Sequence, residues 1–223
     1  MLIFQESPAL QTEKTISIIE LIENGGIGGM LIIGVLFVLL TIVIYIYFER
    51  LFAIRAATIV EKKFMPEIRT HVLGGEIEKA KILCQSYDNP VARLLEKGVS
   101  RIGRPLEDIN SALENAGRIE VYKLEKNVSI LATIAGVAPM IGFLGTVIGM
   151  ILSIFEISTA GGNIDMQLLS NGLYTAMTTT VAGLIVGIIS YISYNHLVVK
   201  TNKVVYQMET TSLDFFDLLN EPT

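Results

Sequence analysis

Residues 126–156 read KNVSILATIAGVAPMIGFLGTVIGMILSIFE, a stretch with no charge between Lys126 and Glu156. About 20 apolar residues suffice to cross a bilayer core, so this run predicts a transmembrane helix. Wound at about 100° per residue, its two sides separate by side-chain size. Ala135, Pro139, Gly142, Thr146, Gly149 and Ser153 share one arc, while Ile130, Ile134, Val137, Ile141, Leu144, Ile148, Ile151 and Phe155 lie opposite. In lipid, helices associate through close backbone approach and interhelical hydrogen bonds, so the small, hydroxylated face is expected to meet protein or a channel. The bulky face is left for lipid or a neighbouring helix.

Two more charge-free runs flank it. The first lies between Glu23 and Glu49, with Met30–Phe48 as its apolar centre and Tyr45, Tyr47 and Phe48 as an interfacial anchor. The other lies between Asp165 and Lys200, with Gly172–Tyr194 as its embedded part. The composition agrees: of 223 residues 51% are hydrophobic and only 17% charged, with a mean hydropathy of +0.55. Soluble domains carry about a quarter charged residues. The N-terminus MLIFQESPALQTEK lacks a basic stretch before an apolar core, so it is not expected to be a cleaved signal.

The expected fold is therefore an all-α membrane protein with three transmembrane helices, the second and third being long and extending into a cytoplasmic helical domain. Residues 1–25 form an N-terminal segment, with an amphipathic surface helix over about 11–24. Residues 26–48 are the first span, with Gly25, Gly26, Gly28 and Gly29 turning the chain into it. A helical domain follows over 49–126, then the second span over 127–155, a short loop over 156–168, the third span over 169–199 and a helical tail over 200–223. Within 49–126, Gly74-Gly75 ends one helix, Asn89-Pro90 starts another and Gly103-Arg104-Pro105 a third. With no further Gly-Pro break before Pro139, a continuous helix is expected from about Pro105 to Phe155, roughly 75 Å at 1.5 Å per residue.

Orientation follows from Lys and Arg. Fourteen of the 17 lie in 49–126, two (Lys200 and Lys203) in the tail, one (Lys14) at the N-terminus and none in the 156–166 connection. The domain and tail are expected to be cytoplasmic, the N-terminus and short loop on the opposite side.

Candidate chemistry is defined largely by what the spans omit. They contain no Asp, Glu, Lys, Arg or His at membrane depth, so an intramembrane protease has no residues to work with. His71 and His196 are expected to be surface or interface residues, and Cys84 a reduced, buried side chain. No metal, cofactor, catalytic residue or nucleic-acid partner is expected. The third span instead carries the hydroxyls of Thr175, Thr178, Thr179, Thr180, Ser190 and Ser193, and Gly172, Thr175, Ala176, Thr179, Thr180, Gly183, Gly187 and Ser190 share one broad small face. Thr146 lies twenty residues after Lys126 and Thr180 twenty before Lys200, each about 30 Å from its cation. The two threonines are expected to be level. Such faces, including Gly145/Gly149 and Gly183/Gly187, serve either to pack helices or to line a hydrated path. In the second case the ionisable group must come from another chain.

LATIAGVAPMIGFLGTVIGM (Leu131–Met150) followed by GLYTAMTTTVAGLIVG (Gly172–Gly187) resembles the paired helices of the MotA/TolQ/ExbB proton-channel family, nearest its three-span ExbB/TolQ branch. The likeness rests on Ala-Pro, then Gly-x-x-Gly-Thr-Val-x-Gly-Met, then Thr-x-x-Gly-Leu, in that order. It implies a homopentamer in the bacterial inner membrane whose second and third helices line a central pore. The pore would hold an ExbD/TolR-like single-span subunit with a proton-carrying Asp, coupled to a TonB/TolA-like transducer. It implies pore-lining roles for Thr146, Thr180, Thr175, Thr179, Pro139, Gly142, Gly149, Gly183 and Gly187. The ExbB type often carries a Glu where this chain has Thr175, which places the titrating carboxylate on the partner. The resulting expectation is a proton-motive-force-driven motor subunit serving TonB-type import. A TolQ-type envelope-maintenance motor, a structural scaffold and a self-sufficient channel are the alternatives, and an enzyme is the least supported class.

Overall fold

A computed structural model describes residues 26–58, 63–159 and 166–220. Among them are seven α-helices: α1 (Gly26–Thr58), α2 (Phe64–Leu73), α3 (Ile77–Ser86), α4 (Pro90–Val99), α5 (Leu106–Glu125), α6 (Val128–Thr159) and α7 (Met166–Asn220). No strand occurs among the described residues. Helices α1, α6 and α7 are each long and apolar enough to cross a membrane. The chain is an all-α membrane protein. It divides into two compact units, one built from the described part of Met1–Leu36 with Pro139–Leu184, the other from Phe37–Ala138 with Ile185–Thr223.

The second unit contains the four short helices. Their boundaries follow local chemistry. Gly75 and Gly103 adopt φ of 70° and 91°, a left-handed conformation that glycine takes without steric cost. Asn89 caps α4, its side chain accepting from the Ala92 amide at 2.8 Å, with Pro90 in the first turn where a missing N–H costs nothing. The core gathers Phe64 and Ile68 of α2, Cys84 of α3, Leu95 and Val99 of α4, Ile109 and Leu113 of α5, and Phe215 and Leu218 of α7, all buried. Packing at Gly98 is close enough that a Cβ would lie 2.8 Å from Phe215 and 2.9 Å from Leu113.

Several polar groups in this unit are tied in. Glu120 is 4% exposed and accepts from Arg93 Nη2 at 2.6 Å and Lys123 Nζ at 2.7 Å. Burial raises the Glu120 pKa, but these two cations outweigh it and hold the carboxyl below the usual range. Buried Arg50 of α1 donates to the Lys123 carbonyl at 3.2 Å and to Glu49 at 2.5 Å. Cys84 is buried, and desolvation together with Glu96 pushes its thiol up to about 12. His71 pairs with Glu76 at 3.0 Å, and His196 with the Tyr47 hydroxyl at 2.8 Å.

Two expectations need correction. The continuous helix from Pro105 to Phe155 does not form: α5 ends at Glu125, α6 starts at Val128, and Asn127 between them has φ 63°. Asn visits the left-handed region more readily than other side chains, so an ordinary-looking residue breaks the helix where neither Gly nor Pro stands. Projection beyond the second span is therefore the work of α5, a separate helix. Gly26, Gly28 and Gly29 are not a turn; they lie inside α1, which begins at Gly26 and runs on to Thr58. The tail and third span are one 55-residue helix, about 80 Å long. The amphipathic helix expected over 11–24 lies outside the described residues.

Candidate functional site

In the first unit α6 and α7 approach to backbone contact, and glycine makes this possible. A Cβ on Gly142 would lie 2.7 Å from the Thr179 carbonyl oxygen, 3.1 Å from Gly183 Cα and 3.2 Å from Thr180 Cα. A Cβ on Gly149 would lie 3.3 Å from both Ala176 Cβ and the Gly172 oxygen, and one on Gly172 would overlap Ser153 Oγ. At Gly145 the obstacle is the Thr179 side chain, 2.5 Å away. The small faces of the two helices thus meet each other over several turns. Lipid offers no hydrophobic drive for this, so dispersion and hydrogen bonds hold the contact.

The hydroxyls sit in this seam. Thr146 Oγ1 contacts Thr180 Oγ1 directly, so the two threonines are level as their spacing from Lys126 and Lys200 requires. Thr146 also donates to the Ala176 carbonyl at 2.9 Å, and Thr180 to the Gly142 carbonyl at 3.3 Å. Thr179 donates to the same Ala176 carbonyl at 2.9 Å. Each hydroxyl has one proton. The Thr146–Thr180 contact and the two carbonyl bonds ask for three protons where two exist, so the pair can rearrange without leaving a buried donor unmet. Neither hydroxyl titrates; each can donate to a carboxylate and accept from a protonated acid.

Helix α1 makes the seam asymmetric. A Cβ on Gly29 would lie 2.7 Å from Thr175 Cγ2, and Ile32 Cδ1 lies 3.1 Å from where a Gly145 Cβ would be. On that covered side Thr175 is 7% and Thr179 0% exposed. Thr146 and Thr180 are half-buried, at the other edge. Of the sequence-predicted residues, then, Thr146, Thr180, Gly142, Gly149 and Gly183 converge on one seam, with Thr175 and Thr179 beneath α1. Pro139 is half-buried in an α6 that continues through it, and Gly187 is buried in the other unit. There Ser190 Oγ donates to the Leu131 carbonyl at 2.7 Å, extending hydroxyl-to-backbone bonding between the same helices. Gly29, Ile32 and the Ala176 carbonyl were not foreseen as parts of the site; Gly29 carries the only sequence signal, a glycine near the start of an apolar run.

Between Pro139 and Phe155, and between Met166 and Leu184, there is no Asp, Glu, Lys, Arg or His. No group of His, Cys, Asp and Glu suited to a metal occurs among the described residues.

Three apolar helices, two of them joined by a hydroxylic seam without a carboxylate, define a membrane protein. Residues 86–210 match the MotA/TolQ/ExbB proton channel family, more than half of the chain, and the protein belongs to that family. It is similar to a putative biopolymer transport protein ExbB homolog of Methanothermobacter thermautotrophicus, 32% identical over 124 residues covering 56% of this chain and 43% of that protein. The biopolymer transport protein ExbB of Aquifex aeolicus is 39% identical over 87 residues, 39% of this chain and 58% of its own. The Tol-Pal system protein TolQ of Haemophilus influenzae is 33% identical over 93 residues, 42% and 40% respectively. The chain spans about half the length of the curated relatives it matches.

Proposed function

We propose that this protein is an ExbB-like, non-enzymatic subunit of a motor driven by the proton motive force in a bacterial inner membrane. Five copies surround the spans of an ExbD/TolR-like partner, and a TonB/TolA-like transducer receives the work. The orientation that the Lys and Arg distribution favours puts the N-terminus in the periplasm and the C-terminus in the cytoplasm. One observation carries this reading: Thr146 and Thr180 form a level, half-buried hydroxyl pair in a seam with no ionisable group of its own. A proton moving there needs a carrier, and a single partner Asp supplies it. One charge crossing 100 mV releases about 2.3 kcal/mol, similar to the roughly 2.5–3.5 kcal/mol cost of a mid-membrane Asp. Hydroxyls able to serve either protonation state lower that cost. Pro139 and the glycines of the seam keep α6 and α7 close enough to hold the pair in place.

The test is Thr146→Val and Thr180→Val in cells that also express the single-span partner. Both variants should assemble with the partner yet lose work driven by the proton motive force. Full activity in both would refute the proposal. A purely structural seam would instead show lower thermal stability with transport unchanged. The TolQ-like alternative shares the same seam and is distinguished by which transducer co-purifies.

A further inference from the structure

Where α1 ends beside α7, a cavity of about 260 Å³ is lined by Ile54, Arg55, Thr58, Lys200 and Lys203. Arg55 lies in the last turn of α1, and Lys200 and Lys203, three residues apart, share one face of α7. Two helices thus bring three cations to one cavity, and no acid lines it among the described residues. Elsewhere in the second unit Arg50, Lys79, Lys81, Arg93, Arg118 and Lys123 each reach a carboxylate. Arg55, Lys200 and Lys203 join no ion pair among the described residues. Like charges held together repel, so the cluster is short of an anion. One packing role is available to these cations, which is to cap the carbonyls at the end of α1. Magnitudes decide against it as a full account. A helix C-terminus carries only about half a negative charge against three positive ones, and the Thr58 hydroxyl already donates to the Ile54 carbonyl at 2.7 Å.

Depth identifies the missing anion. Lys200 closes the charge-free run of α7, and Arg55 lies six residues, about 9 Å, past the Glu49 that closes the run of α1. Phe48 and Phe52, 50% and 63% exposed with ring centroids 6.5 Å apart, stand about two turns and one turn before Arg55. Exposed aromatic rings at the end of a span mark the headgroup level. A basic pocket between two spanning helices at that level suits the phosphate of an anionic lipid. We propose that this cavity binds the phosphodiester headgroup of an anionic phospholipid, with Arg55, Lys200 and Lys203 as its counter-charges. The bound headgroup removes the repulsion between the end of α1 and the facing turn of α7, and so holds the two together at the bilayer surface. The assignment rests on where the spans end and is independent of the motor reading.

The experiment titrates the full chain, purified in an uncharged detergent, with phosphatidylglycerol, with zwitterionic phosphatidylethanolamine of the same acyl chains, or with inorganic phosphate. Native mass spectrometry counts retained lipid, and thermal unfolding reads the stabilisation. Phosphatidylglycerol should be retained and should raise the unfolding midpoint more than phosphatidylethanolamine, with inorganic phosphate inert at the same concentration. Arg55→Gln, Lys200→Gln and Lys203→Gln should each weaken phosphatidylglycerol binding by about fivefold, the scale of one cation at a membrane surface. Lys200→Arg should retain binding, and so should Arg104→Gln, which removes an exposed cation ahead of α5. Losses in the three variants no larger than in Arg104→Gln would overturn the site. Equal response to the two lipids would overturn its choice of an anion, and an equal response to inorganic phosphate would overturn the lipid. Glu61, the next acid along the chain after Arg55, lies outside the described residues. Glu61→Gln should leave binding within about twofold. A rise of about tenfold or more would show that the chain supplies its own anion, and would overturn the proposal.

Discussion

Gly142→Ala is the sharpest probe of the α6–α7 seam. The added Cβ would meet the Thr179 carbonyl oxygen at 2.7 Å and Gly183 Cα at 3.1 Å. Both are backbone atoms of a helix and cannot swing aside. Restoring ordinary contact requires the helices to part by about half an ångström or more, and overpacking of this kind costs about 1–3 kcal/mol. The same movement stretches the Thr180 bond to the Gly142 carbonyl beyond its present 3.3 Å, removing about 0.5–1.5 kcal/mol more. Against this, Ala gains about 1 kcal/mol over Gly in helix propensity. The net expectation is a loss of about 1–3 kcal/mol. Gly136 of α6 and Gly34 of α1 are the controls, because a Cβ at either meets nothing within 4 Å. Gly136→Ala and Gly34→Ala should leave the protein unchanged or slightly more stable. The assay is thermal or denaturant unfolding in detergent, paired with work driven by the proton motive force in cells. If Gly142→Ala unfolds no earlier than the two controls and works as well, the backbone contact between α6 and α7 is refuted.

Thr180→Ser should keep activity that Thr180→Val loses, since the hydroxyl rather than the methyl group serves the proposed path; complementation of a motor-deficient strain reads this out. Glu120 should make the protein acid-sensitive. Its folded pKa lies below the ordinary 4.5, so its stabilisation is complete above that value and is lost as pH falls through the lowered folded pKa. Unfolding curves between about pH 6 and 3 should show this loss, and Glu120→Gln should remove that part of the pH dependence. Cys84, with its thiol pushed up to about 12 and its side chain buried, should resist alkylation at pH 8 in the folded protein and react fully once denatured. Mass spectrometry after brief iodoacetamide treatment measures both.

Much of the architecture was legible in the chain alone because bilayer thickness is an external ruler. Three charge-free runs had to be spans, and Asn89-Pro90, Gly75 and Gly103 carried their own reasons to begin or end a helix. Equal counting from Lys126 and Lys200 placed Thr146 and Thr180 at one depth, since rise per residue is constant in a helix. The small-residue periodicity showed which faces of α6 and α7 were built for close approach. What periodicity could not show was which partner each face meets. That Thr175 and Thr179 lie beneath α1 while Thr146 and Thr180 remain at the open edge depends on where a third helix packs. Gly29 reads as a turn residue until Thr175 is seen against it. Asn127 breaks the long helix by adopting a left-handed conformation that its side chain permits but does not demand, so only the surrounding structure decides it. The Ala176 and Gly142 carbonyls that hold the hydroxyl pair belong to every residue's backbone and leave no mark in a sequence. Composition and spacing thus determined a three-span protein with a level hydroxylic pair, while tertiary packing decided which hydroxyls are enclosed and which stand at an accessible edge.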